Sequence, residues 1–513
     1  MYTFSSKLKT FSFVLMAVGL LGIGYGFLTA PKDIQEVEKI LSAESHGGHG
    51  EASATAHDAK AESHESSEVK NDEHTAKAES HEVSELKTEG DVANAKEHVV
   101  TEAATEEHVV VADEHGAAEV KTEEHESKVS HHEETGSNVH AEAEHKEHLE
   151  HVLSQLQNKP WAAFYVACIF FMLLSMGVLA FYAIQQVAQA GWSPVVFRVM
   201  QGITAYLPVG SVIFFIFLIL CGLHFNHLFI WLDPEVVAHD KIIANKAGYL
   251  NFPFWIIRAA IFLIGWNLYR YFSRKNCLAQ DESNDNSFYK KNFNISAMFL
   301  VFFIVSESIM SWDWIMSIDP HWSSTLFGWY VFASFFVSGI TMITMVTVYL
   351  KSRGYLEHVN TSHVHDLAKF MFGISVFWTY LWFSQFMLIW YANIPEEVTY
   401  FVTRIQIYNL PFFGAVVMNF LFPVLILINT DFKRLTWVLV MAGIVILLGH
   451  YIDFFNMIMP GTVGDKWFIG ISEIASLMFF LGLFIFVVFT ALTKAPLLPK
   501  RNPFIDESKH FHY

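Results

Sequence analysis

Four ionisable side chains stand inside apolar stretches of this chain, where water cannot solvate them. Glu307 and Asp313 lie in SESIMSWDWIMSIDPHW (306–322), and His450 and Asp453 lie in GHYIDFFNMIMP (449–460). A carboxylate in hydrocarbon costs several kcal/mol on insertion scales, so such groups pair with one another or face a polar cavity. His450 and Asp453 are i, i+3 and share a helix face. Ser306 and Asp313 are i, i+7 and share another, while Glu307 points about 100° away, towards Ser311 and Trp314. A histidine that titrates near neutral pH, beside a carboxylate, suits proton acceptance and relay. Glu307, His450 and Asp453 are therefore the candidate proton carriers.

Around them stand further polar candidates: His224 at the end of one apolar run, Arg258 a turn or two into the next, Arg404 at the start of another, and Glu473 early in the last. Arg258 could neutralise Glu307 or Asp313. Trp312, Trp314 and Trp322 have the composition of an aromatic interface belt, which would let Asp313 reach the headgroups.

These residues need helices to hold them. The chain has 513 residues, is 53% hydrophobic and 16% aromatic, and carries a formal charge of −18. The acidity is local. Residues 31–159 lack Phe, Tyr and Trp altogether, and their 32 Asp and Glu against 11 Lys leave the rest of the chain near +3. The same segment holds 16 of the 26 histidines. It has too little to bury to offset the entropy of ordering, so it is expected to be a disordered tether, with a short helix near 141–158. Weak metal binding by HGGHGE, or proton buffering by its histidines, are the alternatives; no fixed ligand spacing marks a metal site.

Residues 1–30 read as a membrane anchor rather than a cleaved signal, because Leu28 occupies the position where a small residue should precede cleavage after Ala30. Nine further apolar runs, near 161–188, 196–226, 252–272, 293–316, 324–350, 367–392, 399–428, 435–459 and 467–493, are each long enough for roughly 30 Å of hydrocarbon. Lys and Arg concentrate on alternate loops, which places both termini in the cytoplasm and 31–159 outside. The expected class is an all-α integral membrane protein of ten spans: the anchor (1–30), the tether (31–159), a connecting helix (160–190), two four-helix bundles (191–351 and 366–495) and a C-terminal tail (496–513). Offsetting the chain by 143 residues lays Asp313 on Asn456 and Glu307 on His450, the sign of a parallel repeat with a site between its copies. Cys168, Cys221 and Cys277 stand far apart with no CxxC or CxxCH, so this chain encodes no iron–sulfur or c-haem motif. The long loop 227–258 suits docking of extrinsic subunits or an interfacial helix.

HLFIWLDPEVV…DKIIANKAGYLNFPFWIIR followed by SWDWIMSIDPHWSSTLFGWYVF resembles the NrfD-like (polysulfide-reductase-type) membrane subunits of alternative complex III, of the ActF type, over about residues 190–495. The resemblance implies a respiratory quinol:cytochrome c oxidoreductase in a bacterial inner membrane. It implies a menaquinone or ubiquinone substrate, a second NrfD-like subunit that is the better candidate for quinol oxidation, and iron–sulfur and multihaem cytochrome c subunits that carry the electrons. A terminal oxidase is a further partner it admits; nucleic acid is not. This chain would then hold no covalently bound cofactor and would serve quinone binding or a proton half-channel. An ion-coupled transporter and a purely structural scaffold are the other two classes the same buried charges allow.

Overall fold

The computed structural model of the chain describes residues 2–47 and 134–512, with the side chains of 43–47 and 134–143 excepted. All the regular secondary structure among these residues is helical, with no strand. Ten segments are long and apolar enough to cross a membrane, as expected. In lipid the backbone must satisfy its own hydrogen bonds, and uninterrupted apolar runs leave the helix as the only local solution.

In chain order the helices are α1 (Ser6–Thr29), α2 (Ile34–Gly47), α3 (Glu134–Val187), α4 (Phe197–Ile203), α5 (Tyr206–Gly222), α6 (Pro234–His239) and α7 (Lys241–Lys246). Then come α8 (Phe252–Gln280), α9 (Ser287–Trp314), α10 (Phe327–Ser352), α11 (Thr361–Ala392) and α12 (Pro395–Gln406). The last are α13 (Asn409–Val416), α14 (Phe422–Leu427), α15 (Thr436–Val463), α16 (Ile471–Leu492) and α17 (Ile505–Lys509). We call the side where α1 ends and α16 begins the tether face.

The expectation of a plain tether over 31–159 is corrected at its N-terminal end, while the helix expected near 141–158 is present and continues into the next span. Residues 34–47 form α2, and α3 begins well before the membrane. From Glu144 to Val187 it is about 66 Å long at 1.5 Å per residue, roughly twice the hydrocarbon thickness. Its early turns bury Leu149 and Val152 against Val37 of α2, flanked by Ile34, Leu41 and Leu156. Those aliphatic residues, spaced as helical stripes in an otherwise polar sequence, are what order the two ends. Residues 48–133 lie outside the described residues.

Within the membrane α3 is the central post, 94% buried over its apolar window against 28% for α1. It meets α10 at a close crossing: a Cβ on Gly177 would lie 2.5 Å from the Phe335 carbonyl, and one on Gly339 2.8 Å from the Val178 amide. Phe170 packs on Tyr451 and Phe454 of α15, and Phe171 on Phe484 of α16. Helix pairing crosses the expected bundle boundary. α10 packs on α11 and α15 as well as α9, and α16 packs on α1, α4 and α5.

The run expected at 399–428 is not one helix. It divides into α12, a break at Ile407–Tyr408, and a span at Asn409–Leu427 that carries a π-helical turn at Val417–Leu421. Pro423 explains the turn, because it cannot donate to the carbonyl of Asn419 four residues back and the register shifts to accommodate it.

Candidate functional site

The candidate residues do not form one cluster. They separate into an arginine-neutralised pair, a lone glutamate, a polar box and a cavity at the tether face.

Arg258 of α8 takes Asp313, not Glu307. Its Nε donates to Oδ2 at 2.6 Å and its Nη2 to Oδ1 at 2.9 Å, a bidentate pair. The guanidinium also lies 3.9 Å from the ring centre of Tyr249 and 4.2 Å from that of Phe254. Asp313 is fully buried, so it does not reach the headgroups. The aromatic-belt expectation fails with it. Trp314 is fully buried against Phe214 and Trp266, and Trp322 is buried and stacks on Tyr400 at 4.1 Å; Trp312 is half-buried. A buried helix end lies beside them. The last carbonyls of α9 have no helical donor, and the Asp313 carbonyl accepts from Trp255 Nε1 at 2.9 Å while the Trp314 carbonyl accepts from Tyr165 at 2.6 Å. Trp255 and Tyr165 thus close the end of α9, while Trp314 and Trp322 lie inside by ring packing, their indole N–H groups without a hydrogen-bond partner.

Arg404 sits near the end of α12 rather than at the start of a span. Its guanidinium lies 3.3 Å from the ring centre of Tyr400, and its Nε donates to the Asn456 carbonyl at 3.1 Å. Asn456 is the residue that the 143-residue offset pairs with Asp313. Each arginine thus reaches the corresponding position on α9 or α15 with an aromatic ring under its guanidinium.

Glu307 is buried, and its carboxylate meets only Ser308 at 3.2 Å and Ser311 at 3.5 Å, both on its own helix. It makes no ion pair or hydrogen bond with His450 or Asp453.

Those two residues stand together in the polar box. Asp453 on α15 accepts hydrogen bonds from three other side chains: Tyr330, Ser334 at 2.8 Å and Trp378 Nε1 at 2.9 Å. His450 Nδ1 is 3.8 Å from the same carboxylate and 3.0 Å from Ser334 Oγ, and its ring meets Trp378 edge-on. The Nε2 of His450 is buried and unpartnered. Beside it, Asn419 of the π turn packs on Gly449, and neither polar atom of its buried amide has a partner. Among the described residues no Lys or Arg forms an ion pair with Asp453.

Sequence reasoning did not single out Tyr330, Ser334 or Trp378. The signal was present in α10, where Tyr330, Ser334, Ser338, Thr341, Thr344 and Thr347 are all buried and recur every three or four residues, a hydroxyl stripe facing the bundle interior. Between α12 and α15 a cavity of about 80 Å³, lined by Trp322, Tyr400, Arg404 and Met457, opens near this box. At roughly 30 Å³ per water it holds a few water molecules, and it falls well below the roughly 300 Å³ at which small-molecule pockets begin. A quinone ring does not fit there.

His224 lies outside every cluster. It is exposed, in a left-handed conformation (φ 59°) just past α5. Glu473 is buried in the first turn of α16, facing a cavity beside Lys159.

Fold and buried charges together define the class: an all-α, multi-pass integral membrane protein whose interior carries a solvent-excluded acid–base pair. Neither the protein-family models nor the curated proteins compared with the chain give a match.

Proposed function

We propose that this chain is a membrane subunit of a bacterial respiratory quinol:cytochrome c oxidoreductase, of the NrfD-like type, and that Asp453 and His450 exchange protons in it. Its termini lie in the cytoplasm and its tether face towards the periplasm. Electrons pass through partner subunits that carry iron–sulfur clusters and c-haems, and quinol is held by the companion NrfD-like subunit.

The observation that carries the proposal is the contrast between the two buried aspartates. Asp313 faces a permanent cation in bidentate geometry, and removing its charge would strand Arg258, so it is fixed as an ion. Asp453 faces only hydroxyls, an indole N–H and an imidazole. Among the described residues no Lys or Arg forms an ion pair with it, the buried Arg404 bonding instead the Asn456 carbonyl three residues along α15, so gain and loss of a proton break no ion pair. Tyr330 and Ser334 each carry a hydroxyl that can both accept and donate, and the stripe below Ser334 offers further hydroxyls along α10. Glu307, with only serine partners, is another such group among the described residues.

The test is Asp453→Asn in the complex purified from its host. Asn retains acceptor and size, so the box stays filled. Turnover of quinol:cytochrome c reduction, or the protons released per electron, should fall by about 100-fold or more, as for loss of a general acid or base. Unchanged turnover together with unchanged proton release rules the role out. Purification as a lone carrier, without haem- and cluster-bearing partners, rules out the complex.

A further inference from the structure

A further polar cavity lies away from Asp453. α1, the start of α2, α3 and the loop before α16 surround a cavity of about 440 Å³ at the tether face, where α1 ends and α16 begins. Two ions face it. Lys159 of α3 is 7% exposed, and its Nζ makes no hydrogen bond, resting 2.6 Å from the ring centre of Phe468. Glu473 is 3% exposed; its Oε2 accepts from the Gly470 amide at 2.9 Å, while its Oε1 is buried and unpartnered.

These two groups do not pair with each other within 4.0 Å. A buried ammonium and a buried carboxylate that share a cavity without touching are each costly, and a ligand carrying both charges would satisfy both. At the rim Asp465 and Lys466 pair at 3.2 Å, so the lining holds two cations and two anions. That balance favours a net-neutral zwitterion over an anion. The other walls, Leu41, Val152, Leu156 and Trp467 among them, are apolar or aromatic and suit the start of acyl chains.

We propose that this cavity binds the headgroup of a zwitterionic phospholipid of the phosphoethanolamine type, its phosphodiester on Lys159 and its primary ammonium on Glu473. The free Oε1 is an acceptor that needs an N–H. A primary ammonium supplies one, and the quaternary ammonium of phosphocholine does not. The site is independent of the proton-exchange role of Asp453.

The experiment uses the full chain purified in detergent, exposed to mixed micelles of phosphatidylethanolamine, phosphatidylcholine and phosphatidylglycerol in equal amounts. It is then washed with lipid-free detergent, and bound lipid is counted by mass spectrometry. The wild type should retain one phosphatidylethanolamine per chain, with each of the other lipids at least about tenfold lower. Lys159→Met and Glu473→Gln should each lower that retention about tenfold, the size expected for a charged hydrogen bond. Glu473→Gln keeps an oxygen for the Gly470 amide, so the start of α16 stays capped, and gel filtration checks that it folds. Should Lys159→Met fail to fold, the selectivity of the wild type and the Gln variant still decide. Equal retention of the three lipids, retention unchanged in Glu473→Gln, or retention of no lipid at all would overturn the assignment.

Discussion

Asp313 and Asp453 differ in what faces them, and each difference is measurable. Arg258→Met leaves Asp313 as a buried charge without its cation, which costs about 3–5 kcal/mol, whereas Arg258→Met with Asp313→Leu removes both charges and should recover most of it. Denaturant titration of the purified chain measures both. At Asp453 the expected loss is in turnover rather than in stability, because Asn still accepts from Ser334 and Trp378. A further carboxylate, Asp240, lies outside the spans and caps α7. Bonds from the Ile243 amide at 3.1 Å and from His321 at 2.5 Å, with the Ile242 amide at 2.8 Å, hold its pKa below the ordinary carboxylate range. The folded loop favours the charged form. Its stabilisation is therefore complete above the ordinary aspartate pKa of about 3.9 and is lost as pH falls through the depressed value. Protection of the Ile242 and Ile243 amides against hydrogen exchange, relative to their intrinsic rates, should fall below about pH 4, and Asp240→Ala should lower it at neutral pH as well.

At the scale of elements, the anchor is part of the bundle. α1 lies along α16 through a small-residue stripe, Ser12, Gly19, Gly22 and Gly26, which faces Ala475, Ser472 and Gly482. In lipid such pairs associate by close packing rather than by hydrophobic burial. A Cβ on Gly19 would lie 2.5 Å from the Phe479 amide, so Gly19→Leu must push the helices apart. The expected cost is about 1–3 kcal/mol, the range for overpacking. It is read as lower thermal stability and as loss of cross-linking between cysteines placed on α1 and α16. The division of the eighth run is the other element-scale finding: a break at Ile407–Tyr408 separates what hydropathy joins, and the freed α12 brings Arg404 over α15.

For the whole molecule, the alternating basic loops make an orientation prediction. The three native cysteines are buried, so single exposed replacements have a quiet background. In intact cells an impermeant maleimide should label Glu235→Cys at the tether face and spare Glu357→Cys, which should react only after lysis. The opposite pattern would invert the proposed topology. α3 binds the assembly together, since it contacts α5, α9, α10, α15 and α16 by turns.

Number and place of the spans were legible in the chain itself, because length and hydropathy decide insertion and the backbone then has no alternative to the helix. Composition likewise separated the acidic segment from the membrane part, and the i, i+3 spacing of His450 and Asp453 put them on one face before any fold was known. What only the tertiary structure decided was pairing. Arg258 was within plausible reach of two carboxylates, and the turn of α9 gave it Asp313. Glu307 and His450, aligned by the offset, belong to helices that keep them apart. Trp314 and Trp322 have the composition of an interface belt and lie inside, packed on Phe214, Trp266 and Tyr400. Such contacts join residues dozens to hundreds of positions apart, and local sequence carries no record of which face meets which.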